Sequence, residues 1–440
     1  MIRVKQIKGK PIIIALRGKK VHFIGIKGIG LSAVAQFFFW AGAKVTGSDS
    51  AEGFPADSVL RKLGISCRQF SPKNISSRLD LVIYSSAYNQ NHPEIKKAIE
   101  LKIPLKSYGE ILAEIFNQGE NKIVVTGSHG KTTTTTLLGH LLEIAGYQPT
   151  VFVGGISNNW QSNFKKGGNK WLVAEGDEYQ KKFLHLKPDY LLITNIDFDH
   201  PDCFRNKEDY RQAFKDLKKQ TKKKIFIGQK ISPEFRKFLA GIDFPLLGEK
   251  NKENAFLIYK LAKELKISET KIKKSFETFK GVKRRMEYKG ELKTKNSCLR
   301  RQVKLKAKIY DDYAHHPEEI KATLSALKGT YPEYKILVIF QPHTFSRTKS
   351  LMKEFGLCFK KADFVYLLPT FSSAREGKPK ENIDKLLFEE TKKHHSQVKS
   401  MPFKNSFLLS EIKKLRKIYP KLIILTIGAG DVYKIAEKLS

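Results

Sequence analysis

The sequence predicts an α/β protein of three domains, each built on a mostly parallel sheet, and three observations carry that reading. The chain has 440 residues, which at about 150 residues per domain allows roughly three. Apolar residues make up 41% and aromatic residues 11% of it, so each domain can bury a core. Disorder and a collagen-like fibre are thereby excluded for the chain as a whole. Finally, β-like apolar runs alternate with tight turns and helix-like segments along the length, as in parallel α/β sheets.

In the first third, Val21-His22-Phe23-Ile24 reads as a strand. It runs into Gly25-Ile26-Lys27-Gly28-Ile29-Gly30 and then into a helix-like LSAVAQFFFWAGA over 31–43. Lys44-Val45-Thr46-Gly47 follows as a strand ending at Ser48-Asp49, and Leu81-Val82-Ile83-Tyr84 as another, closed by Ser85-Ser86. A second set opens at Lys122-Ile123-Val124-Val125 and continues through Trp171-Leu172-Val173-Ala174 and Tyr190-Leu191-Leu192-Ile193. It closes with NAFLIYKLAKEL and ETKIKKSFETF, whose apolar residues recur every three or four positions, as on one face of a helix. The third set, after Gly281, contains Lys308-Ile309-Tyr310, the run Lys335 to Phe340, the run Phe364 to Leu368 and Leu422-Ile423-Ile424-Leu425. No repeat of fixed period is present. Boundaries near 120 and 283 give domains at 1–119, 120–282 and 283–440.

Lysine and arginine number 81 against 44 acidic residues, a net charge of +37. Such a surface attracts phosphates, nucleic acid or anionic lipid, although lysine enrichment can equally be a habit of a whole proteome. The stretch from 283 to 308 is densely basic, with Arg300, Arg301, Lys304 and Lys306 close together. It reads either as a phosphate or nucleic-acid patch or, preferably, as an exposed face of strands opening the third domain. No basic–aromatic stacking pattern of a nucleic-acid-binding module accompanies it. Cys67, Cys203, Cys298 and Cys358 lie far apart with no C-x-x-C pair. That argues against a disulfide framework or structural zinc and fits a reducing compartment. No apolar run approaches the roughly 18 residues of a membrane span. The opening MIRVKQIKGKPIIIALRGKK has a short apolar core followed by further basic residues and no small-residue cleavage site. The expectation is a soluble cytoplasmic protein.

The strongest chemical signal is Thr126-Gly127-Ser128-His129-Gly130-Lys131-Thr132-Thr133-Thr134, after a strand and before a helix. Glycines let backbone N–H groups close around phosphate oxygens, and the helix N-terminus adds partial positive charge. Lys131 would reach the β- and γ-phosphates of a nucleotide, and the Thr132 hydroxyl would ligate Mg²⁺. Position 125 is valine where the longer pattern has glycine, so this is a shortened G-x-x-G-K-T loop. Gly127, Ser128, His129, Gly130 and Thr133 complete the phosphate-binding set. The first turn, Gly25-x-x-Gly28-x-Gly30, departs from G-x-G-x-x-G, so NAD is not well supported. It can still lay a pyrophosphate on a helix N-terminus, with Asp49 where an acid often meets a ribose or base; nucleotide binding and tight packing stand as equal alternatives. Glu175-Gly176-Asp177-Glu178-Tyr179 follows one strand, and the run from Thr194 through Asp197, Asp199 and His200 to Asp202 follows another. Parallel strands bring these ends to the edge that carries the phosphate loop. Their carboxylates can hold Mg²⁺ through oxygen, and His200 could complete a second site. In the third domain the adjacent His315 and His316 would serve as metal ligands, bases or helix caps, and Gly428-Ala429-Gly430-Asp431 as a ligand-facing turn or a cap.

As a set, these motifs resemble the Mur ligase family, ATP-dependent amide-forming enzymes of peptidoglycan synthesis. The residues concerned are GIKGIGLSAVA (25–35), TGSHGKTTTT (126–135), EGDEYQKKFLHLKPDYLLITNIDFDHPD (175–202), GVKRRME (281–287), DDYAHHPEEI (311–320), QPHTFSRT (341–348) and GAGDVY (428–433). They occur in family order across nearly the whole chain, and QPHTFSRT and GAGD look like the alanine-adding members. The resemblance implies an N-terminal Rossmann-like domain for a UDP sugar, a central P-loop ATPase α/β domain, and a C-terminal Rossmann-like α/β domain for an amino acid. It implies ligation of L-alanine to the lactyl carboxylate of UDP-N-acetylmuramate through an acyl phosphate, with ATP and Mg²⁺, by a monomer or dimer.

By matching positions, Lys131 would bind the ATP phosphates, while Thr132, Glu175 and His200 would hold Mg²⁺. Asn251 and Asn254 would contact adenine, although Lys250 stands where the family has histidine. Arg285 and Asp312 would reach ATP from the third domain, implying closure of that domain during turnover. Tyr313, His315 and Arg347 would frame the alanine, with Thr344 where members often carry a second arginine. Gly25, Gly28, Gly30, Asp49 and Ser86 fall to the UDP sugar. Lys131, His200, His315 and Arg347 fall to catalysis, His200 and His315 being candidates for the amine proton. The alternatives are a murein-peptide recycling ligase, whose relatives also carry a segment like Asp177-Glu178-Tyr179, and, in another class, a basic P-loop ATPase that binds nucleic acid.

Overall fold

The structure, a computed structural model, describes residues 16–198, 203–292, 306–372 and 379–439. Three sheets follow one another along the chain. The first contains β1 (Lys20–Ile24), β2 (Lys44–Asp49), β3 (Ser66–Gln69), β4 (Leu81–Tyr84) and β5 (Leu105–Ser107) in the order β3-β2-β1-β4-β5, all parallel. The second contains β6 (Asn121–Thr126), β7 (Thr150–Ser157), β8 (Ser162–Lys165), β9 (Trp171–Glu175), β10 (Tyr190–Ile193) and β11 (Lys224–Ile227). Its order is β11-β10-β6-β9-β7-β8, with β8 antiparallel to β7. The third contains β12 (Glu287–Glu291), β13 (Lys306–Asp312), β14 (Lys335–Phe340), β15 (Phe364–Leu367), β16 (Val398–Ser400) and β17 (Lys421–Ile427). Its order is β12-β13-β17-β14-β15-β16, with β12 antiparallel to β13.

Central strands such as β6 and β17 are buried along almost their whole length. Continuous apolar runs of this kind are what a sheet covered on both faces requires. In each sheet the strand order reverses, around β1, β6 and β17 respectively. In open α/β sheets the crevice beyond the strand C-termini at such a reversal is where ligands bind. The two Gly-rich turns leave β1 and β6 there, and Gly428 follows β17.

Packing divides the chain into two compact units, Met1–Pro245 with Glu253–Lys283, and Leu246–Lys252 with Arg284–Ser440. Two sheets therefore share the first unit. The helix Ile29–Trp40 joins them, because its Phe37 packs against Phe152 and Phe164 of the second sheet at ring-centroid distances of 5.8 and 6.3 Å. A buried polar cluster lies beside the rings. The Gln36 amide donates to Asn163 Oδ1 (2.8 Å), Asn163 Nδ2 donates to Ser32 Oγ (2.8 Å) and to Ile29 O, and Ser162 Oγ donates to Gln36 Oε1 (2.8 Å). Each polar group so placed is satisfied, as burial demands.

The helix predicted through residue 43 stops at Trp40, since Gly42 turns left-handed (φ +87°) and the chain reverses into β2. Residues 293–305 of the basic stretch lie outside the described residues, as does Cys298. Its described N-terminal part forms β12, an edge strand with a bulge between Tyr288 and Gly290. No helix among the described residues is long and apolar enough to cross a membrane.

Candidate active site

The phosphate loop leaves the C-terminal end of β6 and enters the helix Lys131–Ile144, with Gly130 as the N-cap residue in the left-handed region (φ +82°). A Cβ on Gly130 would lie 2.6 Å from Asn254 Nδ2, so the Asn254 side chain rests against the loop. Gly127 is equally constrained: at φ +132°, its Cβ would fall 2.2 Å from Thr194 Oγ1. The segment after β10 braces the loop. His129 N–H donates to Asn195 Oδ1 (3.0 Å), and Asn195 Nδ2 and Thr194 Oγ1 donate to His129 O (2.9 and 2.6 Å). Ser128 Oγ donates to Asp197 O and pairs with the buried Tyr210 hydroxyl at 2.8 Å.

Lys131 folds back over this loop. Its ammonium donates to Gly127 O (2.6 Å), Ser128 O (3.1 Å) and Glu178 Oε1 (2.8 Å). Burial alone would depress the lysine, but the charges of Glu178, Asp177 and Glu175 hold it above its ordinary value, so it stays protonated. Burial pushes the Glu178 carboxyl up to about 7 against the pull of Lys131.

One helical position on, Thr132 Oγ1 donates to Glu175 Oε1 at 2.8 Å, and Gly154 N–H donates to the other oxygen at 2.7 Å. Glu175 ends β9, next to β6 in the sheet, so parallel pairing alone brings a carboxylate to the first turn of the helix. A hydroxyl and a carboxylate are the hard oxygen donors that suit Mg²⁺. His200, the third ligand implied by the resemblance, and Asp199 lie outside the described residues, and no group of three or more metal-ligating side chains occurs among the described ones.

The first Gly-rich turn is also assembled as a loop. Gly25 (φ +80°) donates its N–H to Ser48 O (2.8 Å), and Gly28 N-caps the helix Ile29–Trp40. Gly30 lies against the Tyr108 ring, where a Cβ would come within 2.7 Å. Asp49 is buried, accepting from Lys27 N–H (2.7 Å) and Ser50 N–H (2.8 Å); burial raises its pKa while these bonds oppose the rise. Asp49 thus shapes the turn. Ser86 is exposed beyond β4.

In the second unit, Arg284 bridges Asp311 Oδ2 (3.2 Å) and Gly428 O (2.6 Å), and the guanidinium groups of Arg284 and Arg285 both stand 5.1 Å from the Tyr313 ring centre. Asp312 is buried, with Thr323 Oγ1 (2.6 Å) and Ala314 N–H (3.2 Å) on its oxygens, and burial pushes its pKa up to about 6. His316 caps the helix Pro317–Thr330 with Glu319 as its reciprocal partner. His315 is different. Burial depresses it to about 4 despite the Glu319 charge, and Arg347 adds to the depression, so the ring is neutral at pH 7. Its Nδ1 lies 3.1 Å from Tyr313 O. A carbonyl only accepts, so Nδ1 carries the proton and Nε2 the lone pair. Asn251 donates to Leu247 O at 2.7 Å.

Sequence reasoning overlooked Gly154, Asn195 and the inward turn of Glu178. Asn195 and Glu178 stand inside quoted motifs, but no spacing rule announces their partners.

Comparison with known proteins identifies the chain's relatives. Family models match in chain order: the Mur ligase family catalytic domain over residues 20–120, the Mur ligase middle domain over 125–299, and the Mur ligase glutamate ligase domain over 299–430. The UDP-N-acetylmuramate–L-alanine ligase of Desulfitobacterium hafniense is 34% identical over 95% of this chain and 99% of its own. That of Levilactobacillus brevis is 38% identical over 81% and 84%. The crystal structure of the Thermotoga maritima UDP-N-acetylmuramate–alanine ligase superposes with a TM-score of 0.77 at 27% identity, covering 96% of this chain and 98% of that one. A murein peptide ligase from Psychrobacter arcticus shares the fold at a TM-score of 0.65 and 19% identity. With three family models in chain order over residues 20–430 and relatives at 34 and 38% identity over most of its length, the chain belongs to the Mur ligase family.

Proposed function

We propose that the chain joins L-alanine to the lactyl carboxylate of UDP-N-acetylmuramate at the expense of ATP. The observation that carries the reading is the phosphate loop, with Lys131 and the Thr132–Glu175 pair at the β6 edge, in a chain whose full-length relatives bear that activity in their names. A carboxylate is a poor electrophile, because its charge repels nucleophiles and it has no leaving group. Its oxygen therefore attacks the γ-phosphate, forming an acyl phosphate and ADP. The alanine amine then attacks the acyl carbon, and phosphate leaves as the amide forms.

The protein's contribution is positioning and charge neutralisation. Lys131 and the N–H groups of Gly130, Lys131, Thr132 and Thr133 hold the phosphates, while Gly127, Ser128 and His129 shape the loop around them, the Ser128 and His129 N–H groups being bonded to Asn195. Thr132 and Glu175, with His200, are the residues to hold Mg²⁺, which when bound neutralises phosphate charge. Gly25, Gly28, Gly30 and Ser86 border the pyrophosphate turn for the UDP sugar, and Asp49 keeps that turn in shape. Asn251, Asn254, Arg285 and Asp312 are assigned to the nucleotide. Tyr313, His315 and Arg347 receive the amino acid, Arg347 at the carboxylate. With its lone pair on Nε2 and a pKa near 4, His315 orients the amine by accepting its hydrogen bond and is too weak a base to hold the proton at pH 7.

Phosphate release from ATP, measured with UDP-N-acetylmuramate and L-alanine, L-serine, glycine or the tripeptide in turn, tests the proposal. L-Alanine should stimulate most. Preference for the tripeptide would move the chain to the recycling activity, and no stimulation by any acceptor would refute a ligase.

A further inference from the structure

An ammonium has three N–H donors. In this structure all three of Lys131 are engaged, with Gly127 O (2.6 Å), Ser128 O (3.1 Å) and Glu178 Oε1 (2.8 Å). Lys131 can therefore reach a phosphate oxygen only by giving up one of these bonds. The carboxylate is the partner that a phosphate replaces like for like, anion for anion. Glu178 is fully buried, with no exposed surface on its side chain, so the exchange leaves a carboxyl group in low dielectric without its ion pair, at a cost to nucleotide binding.

The fold holds Glu178 there against local preference. Two and three residues after it, Gln180 and Lys181 both adopt left-handed backbone angles (φ +55° and +57°), which residues other than glycine disfavour. The turn is pinned by Lys181 N–H on Glu178 O (2.8 Å), Phe183 N–H on Asp177 O (3.0 Å) and the Lys181–Asp209 ion pair (2.9 Å), with Phe183 buried beneath it. A strained turn kept in place by several contacts marks a side chain whose position matters.

We propose that Glu178 is a positioning residue that holds the Lys131 ammonium over its own loop and competes with the phosphates of ATP for it. The inference rests on the reading of Lys131 as the phosphate-binding lysine. It makes Glu178 a device that weakens ground-state nucleotide affinity and eases release of ADP, the product that no longer carries the γ-phosphate.

Equilibrium titration of the full-length protein with the β,γ-imido analogue of ATP and Mg²⁺ tests this without any acceptor substrate, so it stays readable if the ligase assay fails. Glu178→Gln keeps the side-chain volume and one acceptor while removing the charge; Glu178→Ala removes the contact outright. Either variant that melts at the wild-type temperature should bind the analogue roughly tenfold tighter. In steady state, KM for ATP should fall in step and ADP should inhibit more strongly, while Glu178→Asp, which keeps the charge, stays near wild type. Unchanged or weaker binding in a variant of wild-type stability would overturn the proposal, leaving Glu178 as a residue that merely orders the loop.

Discussion

Gly154→Ala separates stability from function in this molecule. The Gly154 N–H donates to Glu175 Oε2 at 2.7 Å, and a Cβ at this position would stand 2.8 Å from both carboxylate oxygens. Ordinary contact begins at 3.4 Å, so the carboxylate must retreat by about 3.4 − 2.8 = 0.6 Å. Gly154 has no positive φ that alanine would strain, and what the methyl meets is the far end of a flexible side chain. An off-rotamer glutamate costs about 0.5–1.5 kcal/mol, a shift of roughly 1–3 °C in melting temperature for a unit of this size. The functional cost is larger. The 2.8 Å bond from Thr132 Oγ1 is made to the same carboxylate, so a displacement of this size disturbs it by as much as the whole usual spread of O–H···O distances. Sites of this kind tolerate about 0.5 Å, and disturbing a metal ligand's surroundings costs about 10- to 100-fold in affinity. Phosphate release measured against Mg²⁺ concentration at saturating ATP should therefore show half-saturation at least about tenfold higher, in a protein that melts nearly as before. An unchanged Mg²⁺ profile would refute the assignment of Glu175. A collapse in melting temperature would show that the backbone, not the carboxylate, absorbs the methyl group.

Lys131→Met should lower phosphate release by at least about a thousandfold while the far-ultraviolet circular dichroism spectrum stays native, because the Glu178 carboxyl, already at about 7, takes up a proton when its partner is lost. Asn163→Ala removes three buried hydrogen bonds, from Gln36 and to Ser32 Oγ and Ile29 O, leaving the Gln36 amide only its longer bond to Ser32 O (3.2 Å), and should reduce the urea-unfolding free energy of the first unit by about 1–3 kcal/mol; a loss below about 0.5 kcal/mol would mean water replaces the amide. His315 is neutral when folded, at about 4 against its ordinary 6.5, so the unfolded chain binds more protons between those values and stability falls as pH drops through that window, by up to about 1.4 kcal/mol per pH unit. His315→Gln should lose less stability than the parent between pH 7 and pH 5 in paired urea titrations. Arg347→Lys keeps the charge but loses the planar fork that grips a carboxylate, and should raise KM for L-alanine about tenfold or more with KM for ATP unchanged.

The central strands and the two Gly-rich turns were legible in the sequence because a doubly covered parallel strand needs an uninterrupted apolar run and a phosphate loop needs glycine. Strands β3 (SCRQ) and β16 (VKS) were not, since as short edge strands they are mostly exposed and carry neither an apolar run nor an alternation. The union of the first two sheets was equally invisible. It depends on Gln36 meeting Asn163, 127 residues away, and nothing local to a helical glutamine announces such a partner. At the site, Lys131, Thr132 and Glu175 could be named because strand order alone brings them together. Glu178 follows the same strand, yet its inward direction is set by two left-handed residues after it. Those angles come from packing around Phe183 and from Asp209, not from the preference of glutamine or lysine.

The phosphate loop has two residues fewer between its glycines than the longer pattern and so has less chain with which to fix its own curvature. The adjacent strand supplies what is missing. Thr194 and Asn195, just past β10, both donate to the His129 carbonyl and pull it toward that strand, while Asn195 Oδ1 takes the His129 N–H. A peptide group is planar and trans, so a carbonyl held toward β10 forces the N–H of the next residue, Gly130, to point the opposite way. Gly127, whose absent Cβ makes room for the Thr194 hydroxyl, lets the strand approach closely enough to do this. Two uncharged side chains thus orient an N–H of the loop without facing an anion themselves. Because every bond in the brace is neutral, it sharpens the loop without changing the charge the phosphates meet, which leaves Lys131 and its partner Glu178 to set how strongly they are held.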